Sequence, residues 1–228
     1  TFNAESATQE ERFALGRCCA RLNRALAAID VDDAELAAAI GRAVPRDLPW
    51  DLLCLSGLSA LLPKIPDAGA MEHVESVLVT HETKIAPGLE SLPRQLIHND
   101  LNPDNLLQGD TGKAAMPAVI DFGDMVRAPV ICDLAIACAY LVDVGDAPLR
   151  RVQDVVRGFQ AECLLEDREA QLLPGLIAGR LCQTVLIQGA RLQAGDETSA
   201  NSYATAARHL EALQAVDLDD LFGASRPG

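Results

Sequence analysis

His98-Asn99-Asp100-Leu101-Asn102-Pro103-Asp104-Asn105 is followed, sixteen residues after its last member, by Asp121-Phe122-Gly123-Asp124. Each polar loop comes directly after an apolar stub, Leu96-Ile97 for the first and Val119-Ile120 for the second, and a third stub, Leu106-Leu107, lies between them. Short apolar stubs bounded by turn-forming residues read as strands. Gly109-Asp110-Thr111-Gly112 supplies a turn between Leu107 and Val119, so a hairpin is expected to bring Asn105 back beside Asp121.

The residue types in these loops fit one chemistry. Phosphoryl transfer from a nucleotide needs a carboxylate that positions the attacking hydroxyl and accepts its proton, and oxygen ligands that hold magnesium against the phosphates. Asp100 is the candidate base. Asn105, on the far side of the same loop, offers a neutral oxygen to the metal and nucleotide, and Asp121 offers a carboxylate.

Outward from this segment the texture is helical on both sides. Residues 1–92 are rich in Ala and Leu and poor in β-branched residues. Thr8 and Glu11 have capping-box spacing, and Phe13, Leu15, Leu22, Leu26 and Ile29 fall near one side of a helix running to about Ala28. Asp32 and Glu35 open a shorter helix with Leu36 and Ile40, and Asp51 caps a segment through Leu62 that Pro63 and Pro66 stop. Met71, Val74, Leu78, His81 and Ile85 then mark an apolar stripe expected to end before Pro87. After the strand region of residues 93–124, residues 125–228 return to helix: Val130 to Val142, Leu149 to Leu164, Arg168 to Gln193 with an irregularity at Pro174-Gly175, and Thr198 to Val216. The tail after Phe222 reads as frayed.

The 228 residues are 49% hydrophobic and 23% charged, enough apolar material for a packed core. The excess of 33 acidic over 19 basic residues gives a net charge of −14, which repels phosphate backbones and anionic lipid, so neither nucleic acid nor membrane is an expected partner. No run of about 18 apolar residues is free of charge. The start, Thr1-Phe2-Asn3, has no basic and apolar leader and no Met. A cytoplasmic protein lacking something upstream is the expectation. The seven cysteines, at 18, 19, 54, 132, 138, 163 and 182, show no Cys-x-x-Cys and read as small buried hydrophobes. His73, His81 and His209 have no ligand spacing and read as ordinary helix residues.

Ile97-His-Asn-Asp-Leu-Asn-Pro-Asp-Asn105 together with Ile120-Asp-Phe-Gly-Asp-Met125 resembles the protein-kinase-like superfamily, and within it the aminoglycoside phosphotransferase family. Asn99 stands where protein kinases carry Arg, and no Ala-Pro-Glu follows. Asp121 instead leads through Asp124 and Arg127-Ala-Pro to Asp133 and straight into a helix. The phrases look most like the hydroxylysine kinase subgroup, as does Arg46-Asp-Leu-Pro-Trp-Asp-Leu52 less specifically. The resemblance implies a mainly α chain with a small β-hairpin region, ATP and magnesium as cofactors, and transfer of the γ-phosphoryl group to a hydroxyl of a small molecule, such as a cationic amino alcohol. Carried over, Asp100 is the catalytic base, Asn105 and Asp121 bind the metal and nucleotide, His98 is a scaffold residue, and Asp124 and Asp133 fasten loops. Asp143, Asp146, Glu162 and Asp196 are candidates to meet a cationic acceptor.

One departure is as informative as the match. The family's N-terminal lobe brings a phosphate-covering loop and a strand lysine, but upstream of His98 the lysines are Lys64 and Lys84, in a proline-flanked loop and on a helix, with no Gly-x-Gly. The chain is therefore expected to be the C-terminal lobe, residues 1–228, with the N-terminal lobe of the same polypeptide absent and little turnover by itself. The alternative is a non-catalytic kinase-like binding module that kept the loops and lost the lid.

Overall fold

The computed structural model describes residues 1–32, 35, 48–108, 116–145, 147–216 and 221–222. The helix expected to carry Leu36 and Ile40, the turn at 109–112, Asp146 and the tail after Phe222 lie outside these residues. Among the described residues the fold is mostly helical. It comprises α1 (Gln9–Asp32), a 3₁₀ segment (Leu52–Lys64), α2 (Ala68–Thr80), a π turn (His81–Ile85), α3 (Ala86–Glu90), α4 (Ile131–Ala139), α5 (Arg150–Gln160), α6 (Asp167–Gln193) and α7 (Ala200–Gln214).

Local chemistry accounts for the helix starts. Thr8 and Glu11 form the expected reciprocal cap, Thr8 N–H donating to Glu11 at 2.7 Å and Glu11 N–H to Thr8 Oγ1 at 3.3 Å. Asp51 accepts from Leu53 N–H and Asp67 from Ala70 N–H. The run expected to stop before Pro87 instead continues to Glu90. Ala86 N–H reaches back five residues to His81 O, and this wider turn resets the backbone before Pro87, which has no N–H to donate. Likewise α6 passes through Pro174 as one helix. Leu172, Leu173, Leu176 and Ile177 are all buried around it, so packing overrides the local preference. α1 extends to Asp32, and Phe13 is 37% exposed while Leu15 and Leu26 are buried.

α6 is the axis of the core. The 3₁₀ segment, α2, α4 and α7 all pack on it, and every residue of α4 is buried. By length and composition α6 could cross a membrane, yet 83% of its most apolar window lies inside the fold, the arrangement of a core helix. α1 packs mainly against α5, and does so backbone to backbone. A Cβ on Gly16 would lie 1.9 Å from Val155 O, and one on Gly158 2.0 Å from Phe13 O. Arg12 joins the same helices by its 2.7 Å ion pair with the buried Asp154.

The strands form two antiparallel pairs, not a single sheet. β2 (Leu106–Leu107) pairs with β3 (Ala118–Val119), Leu106 opposite Val119, which is the expected hairpin. β1 (Gln95–Ile97) pairs with β4 (Val126–Ala128), Leu96 opposite Arg127. β4 was not expected from sequence, because Val126-Arg127-Ala128 is too short to show alternation. Together the pairs place the loop after β1 and the loop after β3 side by side, over the end of α4.

Two outcomes test this packing. Gly158→Ala should lower stability by about 1–3 kcal/mol through overpacking against α1, measured by thermal or urea unfolding. Glu162, just after α5, accepts from Arg21 and Arg17 at 2.7–2.9 Å and from Arg24 at 3.3 Å, and these hydrogen bonds hold its carboxyl down at about 2 against an ordinary 4.5. An unfolded chain protonates it near 4.5, so the cluster's stabilisation is present above that pH and is lost as pH falls towards about 2. Glu162→Gln should therefore melt lower than wild type at pH 7, with the gap closing between 4.5 and 2.

Candidate active site

Asp133, in the first turn of α4, fixes the geometry of the first loop. It is fully buried, and its two carboxylate oxygens accept the backbone N–H groups of His98 at 3.0 Å and Asn99 at 2.7 Å, with Asn23 Nδ2 at 3.1 Å. Burial pushes its pKa up and these donors pull against that shift. The fastening role expected for Asp133 fits this placement. Asn99 is bent into the left-handed region, φ 65°, just past β1, and its buried amide meets no hydrogen-bond partner among the described residues.

His98 spans the two loops. Its Nδ1 accepts from Asp100 N–H at 3.2 Å, so Nε2 carries the proton and donates to Ile120 O at 3.0 Å, directly before Asp121. Its ring meets Phe122 edge to face at 4.8 Å. Asp121 is the second left-handed residue, φ 61°, and is exposed, with Oδ1 accepting from Gly123 N–H. Non-glycine residues in this region carry strain of order 1–3 kcal/mol and concentrate at functional sites.

Asp100 emerges between these supports with a carboxylate that is 19% exposed. Oδ2 accepts from Asn102 Nδ2 at 2.9 Å and Asn105 Nδ2 at 2.8 Å, while Oδ1 accepts from Arg180 Nη2 at 2.7 Å. Asn105 Nδ2 also donates to Asp100 O. With its amide nitrogen committed, Asn105 is left with Oδ1 as the group to offer a cation. Ile120 N–H donates to Asn105 O at 3.0 Å, so the hairpin register sets Asn105 beside the residue preceding Asp121. No three His, Cys, Asp or Glu side chains converge as a cage among the described residues. The donor set here is one amide and one carboxylate, which suits magnesium, an ion that takes its remaining oxygens from phosphates and water.

A cavity of about 730 Å³ opens in front of Asp100, bounded by Trp50, Asp124, Tyr140 and Arg180 and, farther out, by α7. Its size is in the range of small-molecule sites. Burial, then the nearby charges of Asp100 and Asp121, raise the Asp124 pKa, and Asp124 lines the cavity. Of the four acidic residues expected near an acceptor, Asp143 lines the cavity, paired with Arg151 at 3.1 Å. Glu162 instead sits in its arginine cluster beside α1, and Asp196 caps the turn before α7; both are spent on structure away from the cavity. Asp146 lies outside the described residues. Arg180 and Trp50 were missed as site residues. A lone arginine in Leu176-Ile-Ala-Gly-Arg-Leu-Cys182 was the available signal, since a charge in so apolar a helix requires a buried partner.

Asp133→Ala should leave the two loop N–H groups unpaired in a dry interior, costing about 1–3 kcal/mol for each group left unsatisfied. Chemical unfolding measures the loss, and hydrogen exchange at His98 and Asn99 should rise in the same variant.

Residues 3–170 match the model of the phosphotransferase enzyme family. The chain is 25% identical over 217 residues to a hydroxylysine kinase of Xenopus laevis, covering 91% of this chain and 57% of that protein. It is 26% identical over 140 residues to a hydroxylysine kinase of Danio rerio, covering 60% and 39%. The chain thus spans little more than half the length of the first relative. Among solved structures it resembles the GDP complex of an aminoglycoside 2′-phosphotransferase-IIIa mutant, TM-score 0.59 at 20% identity over 97% of this chain and 66% of that one. It also resembles a microcompartment-associated aminopropanol kinase, TM-score 0.53 at 19% identity over 91% and 62%. A loop pair that presents one carboxylate to a small-molecule cavity, and a family match covering most of its length, give the same answer: this chain belongs to the phosphotransferase enzyme family.

Proposed function

We propose that this chain is the C-terminal, catalytic lobe of an ATP-dependent kinase that phosphorylates a hydroxyl of an amino alcohol, with Asp100 as the base and Asn105 and Asp121 as the magnesium ligands. The observation that carries the reading is the Asp100 carboxylate, held from three donors at the floor of a cavity large enough for a small acceptor.

In this reading the acceptor hydroxyl docks against Asp100, its oxygen attacks the γ-phosphorus, and its proton passes to the Asp100 carboxylate. The bond from phosphorus to the bridging oxygen breaks, and its electron pair leaves with the nucleoside diphosphate. Magnesium, when bound, neutralises charge on the phosphates. Asp121 and Asn105 would hold it, with His98 keeping their two loops at fixed separation.

The cavity supports the acceptor class. Asp124 offers negative charge for an ammonium group and Arg208 offers positive charge, while Asp143 and Arg151 in the same wall are paired with each other. Both signs in one cavity suit a zwitterionic amino alcohol such as hydroxylysine, consistent with the hydroxylysine and aminopropanol kinases among the similar proteins. The lid over the phosphates would come from an N-terminal lobe of the same polypeptide, because no strand lysine stands before His98.

The test uses the complete polypeptide with magnesium and either ATP or GTP, offered hydroxylysine, 1-amino-2-propanol, choline and an aminoglycoside. Turnover of an amino alcohol at about 1–100 per second is expected, falling by about 10²–10⁴ in Asp100→Asn, with the 228-residue chain alone nearly inactive. Magnesium-dependent nucleotide binding without transfer to any acceptor would make the protein a binding module, and undiminished Asp100→Asn turnover would remove the assigned base.

A further inference from the structure

Arg180 stands near the middle of the core helix α6, 2% exposed, and its guanidinium bonds to residues that line the cavity. Nη2 donates to Asp100 Oδ1 at 2.7 Å and to Tyr140 Oη at 3.3 Å, and Nη1 donates to Trp50 O at 3.1 Å. The guanidinium carbon lies 4.8 Å from the Trp50 ring centroid and 6.0 Å from that of Tyr140. One turn on, Gln183 Nε2 donates to Pro49 O and Asp51 O. Three successive carbonyls, at residues 49, 50 and 51, are thereby fastened to α6.

The lone pairs of Asp100 decide what this arrangement does. Each carboxylate oxygen accepts about two hydrogen bonds. Oδ2 has both, from Asn102 and Asn105, while among the described residues Oδ1 has only Arg180. An incoming hydroxyl therefore finds its open acceptor position on Oδ1, the oxygen Arg180 already holds. Arg180, Trp50 and Tyr140 also wall the cavity on that side.

We infer that Arg180 is a positioning residue for the transfer: its guanidinium fixes the plane of the Asp100 carboxylate so that Oδ1 faces the acceptor, and joins that oxygen rigidly to the Trp50 wall against which the acceptor packs. This inference rests on Asp100 as the base. It assigns Arg180 no contact with the nucleotide. Lysine would keep the buried charge but not the planar fork that reaches Asp100, Tyr140 and the Trp50 carbonyl together.

The complete polypeptide is assayed with the acceptor varied. Arg180→Met should lower kcat by about 10²-fold, the size of loss that misplacing a reacting group causes, while the acceptor KM moves by less than about threefold. Arg180→Lys should recover part of the loss. In an Asp100→Asn background, Arg180→Met should cost nothing more, because the group it orients has already lost its role. Losses that multiply in the double variant, a change confined to KM, or wild-type kcat in Arg180→Met would each overturn the inference. Should Arg180→Met fail to fold, Arg180→Lys decides the matter: its kcat deficit must disappear in the Asp100→Asn background, and a deficit that persists overturns the positioning role. Full turnover by Asp100→Asn alone would instead sink the assignment of the base, which separates the two failures.

Discussion

The structure turns on one buried carboxylate. Among the described residues no cation bonds to Asp133; its stabilisation comes from the two loop N–H groups and Asn23 that it satisfies. A carboxylate in a dry interior is costly unless hydrogen-bonded donors surround it, and here the donors are the backbone that must turn after β1. The cost of burying Asp133 and the constraint on the loop are the same interaction viewed from either side. α4 is buried along its whole length, so the carboxylate cannot move away, and the turn it dictates delivers Asp100 to the cavity.

From there the support passes to His98. The two left-handed non-glycine residues among those described, Asn99 and Asp121, lie in different loops, after β1 and after β3, and have no covalent reason to be in register. The His98 ring bonds to the peptide just after the one and the peptide just before the other. Each strained turn is thus held by a contact to its counterpart. Strain of this kind persists only where its surroundings over-determine it, and the short strands by themselves, two or three residues each, would not suffice. The exposed position of Asp121 follows, since its backbone is fixed from the buried side while its carboxylate, with Oδ1 accepting from Gly123 N–H, stays at the surface.

Much of this was legible in the sequence because polar residues at fixed spacing carry chemistry that few other patterns share. Asp100, Asn105 and Asp121 could be picked out from the order of loops and stubs, and the hairpin between Leu106 and Val119 followed from turn chemistry. Helix starts at Thr8, Asp51 and Asp67 depend on nearest neighbours, and the first two were readable for that reason. What escaped was non-local. β4 is defined only by its partner β1, across about thirty residues of chain. Pro87 looked like a stop and Pro174 like an irregularity, yet a π turn absorbs the first and α6 runs through the second as one helix. Glu162 and Asp196 looked like free acids for an acceptor, but their partners, three arginines on α1 and the Thr198 turn, appear only when helices are packed.

Arg180 is the sharpest case of that limit, and it also explains the electrostatics. The chain is strongly acidic, and Asp100, Asp121 and Asp124 crowd one rim closely enough that the first two raise the pKa of the third. Like charges so placed repel unless something fixed and positive stands among them. A solvent-facing lysine would be screened and mobile, whereas a guanidinium sealed between Trp50 and Tyr140 keeps its charge and its orientation. The helix that carries it is buried for several turns around that position, because the arginine stem and the fork are both inside the core. The length and apolarity that make α6 resemble a membrane span are what a packed core requires to hold one cation beneath the Asp100 carboxylate.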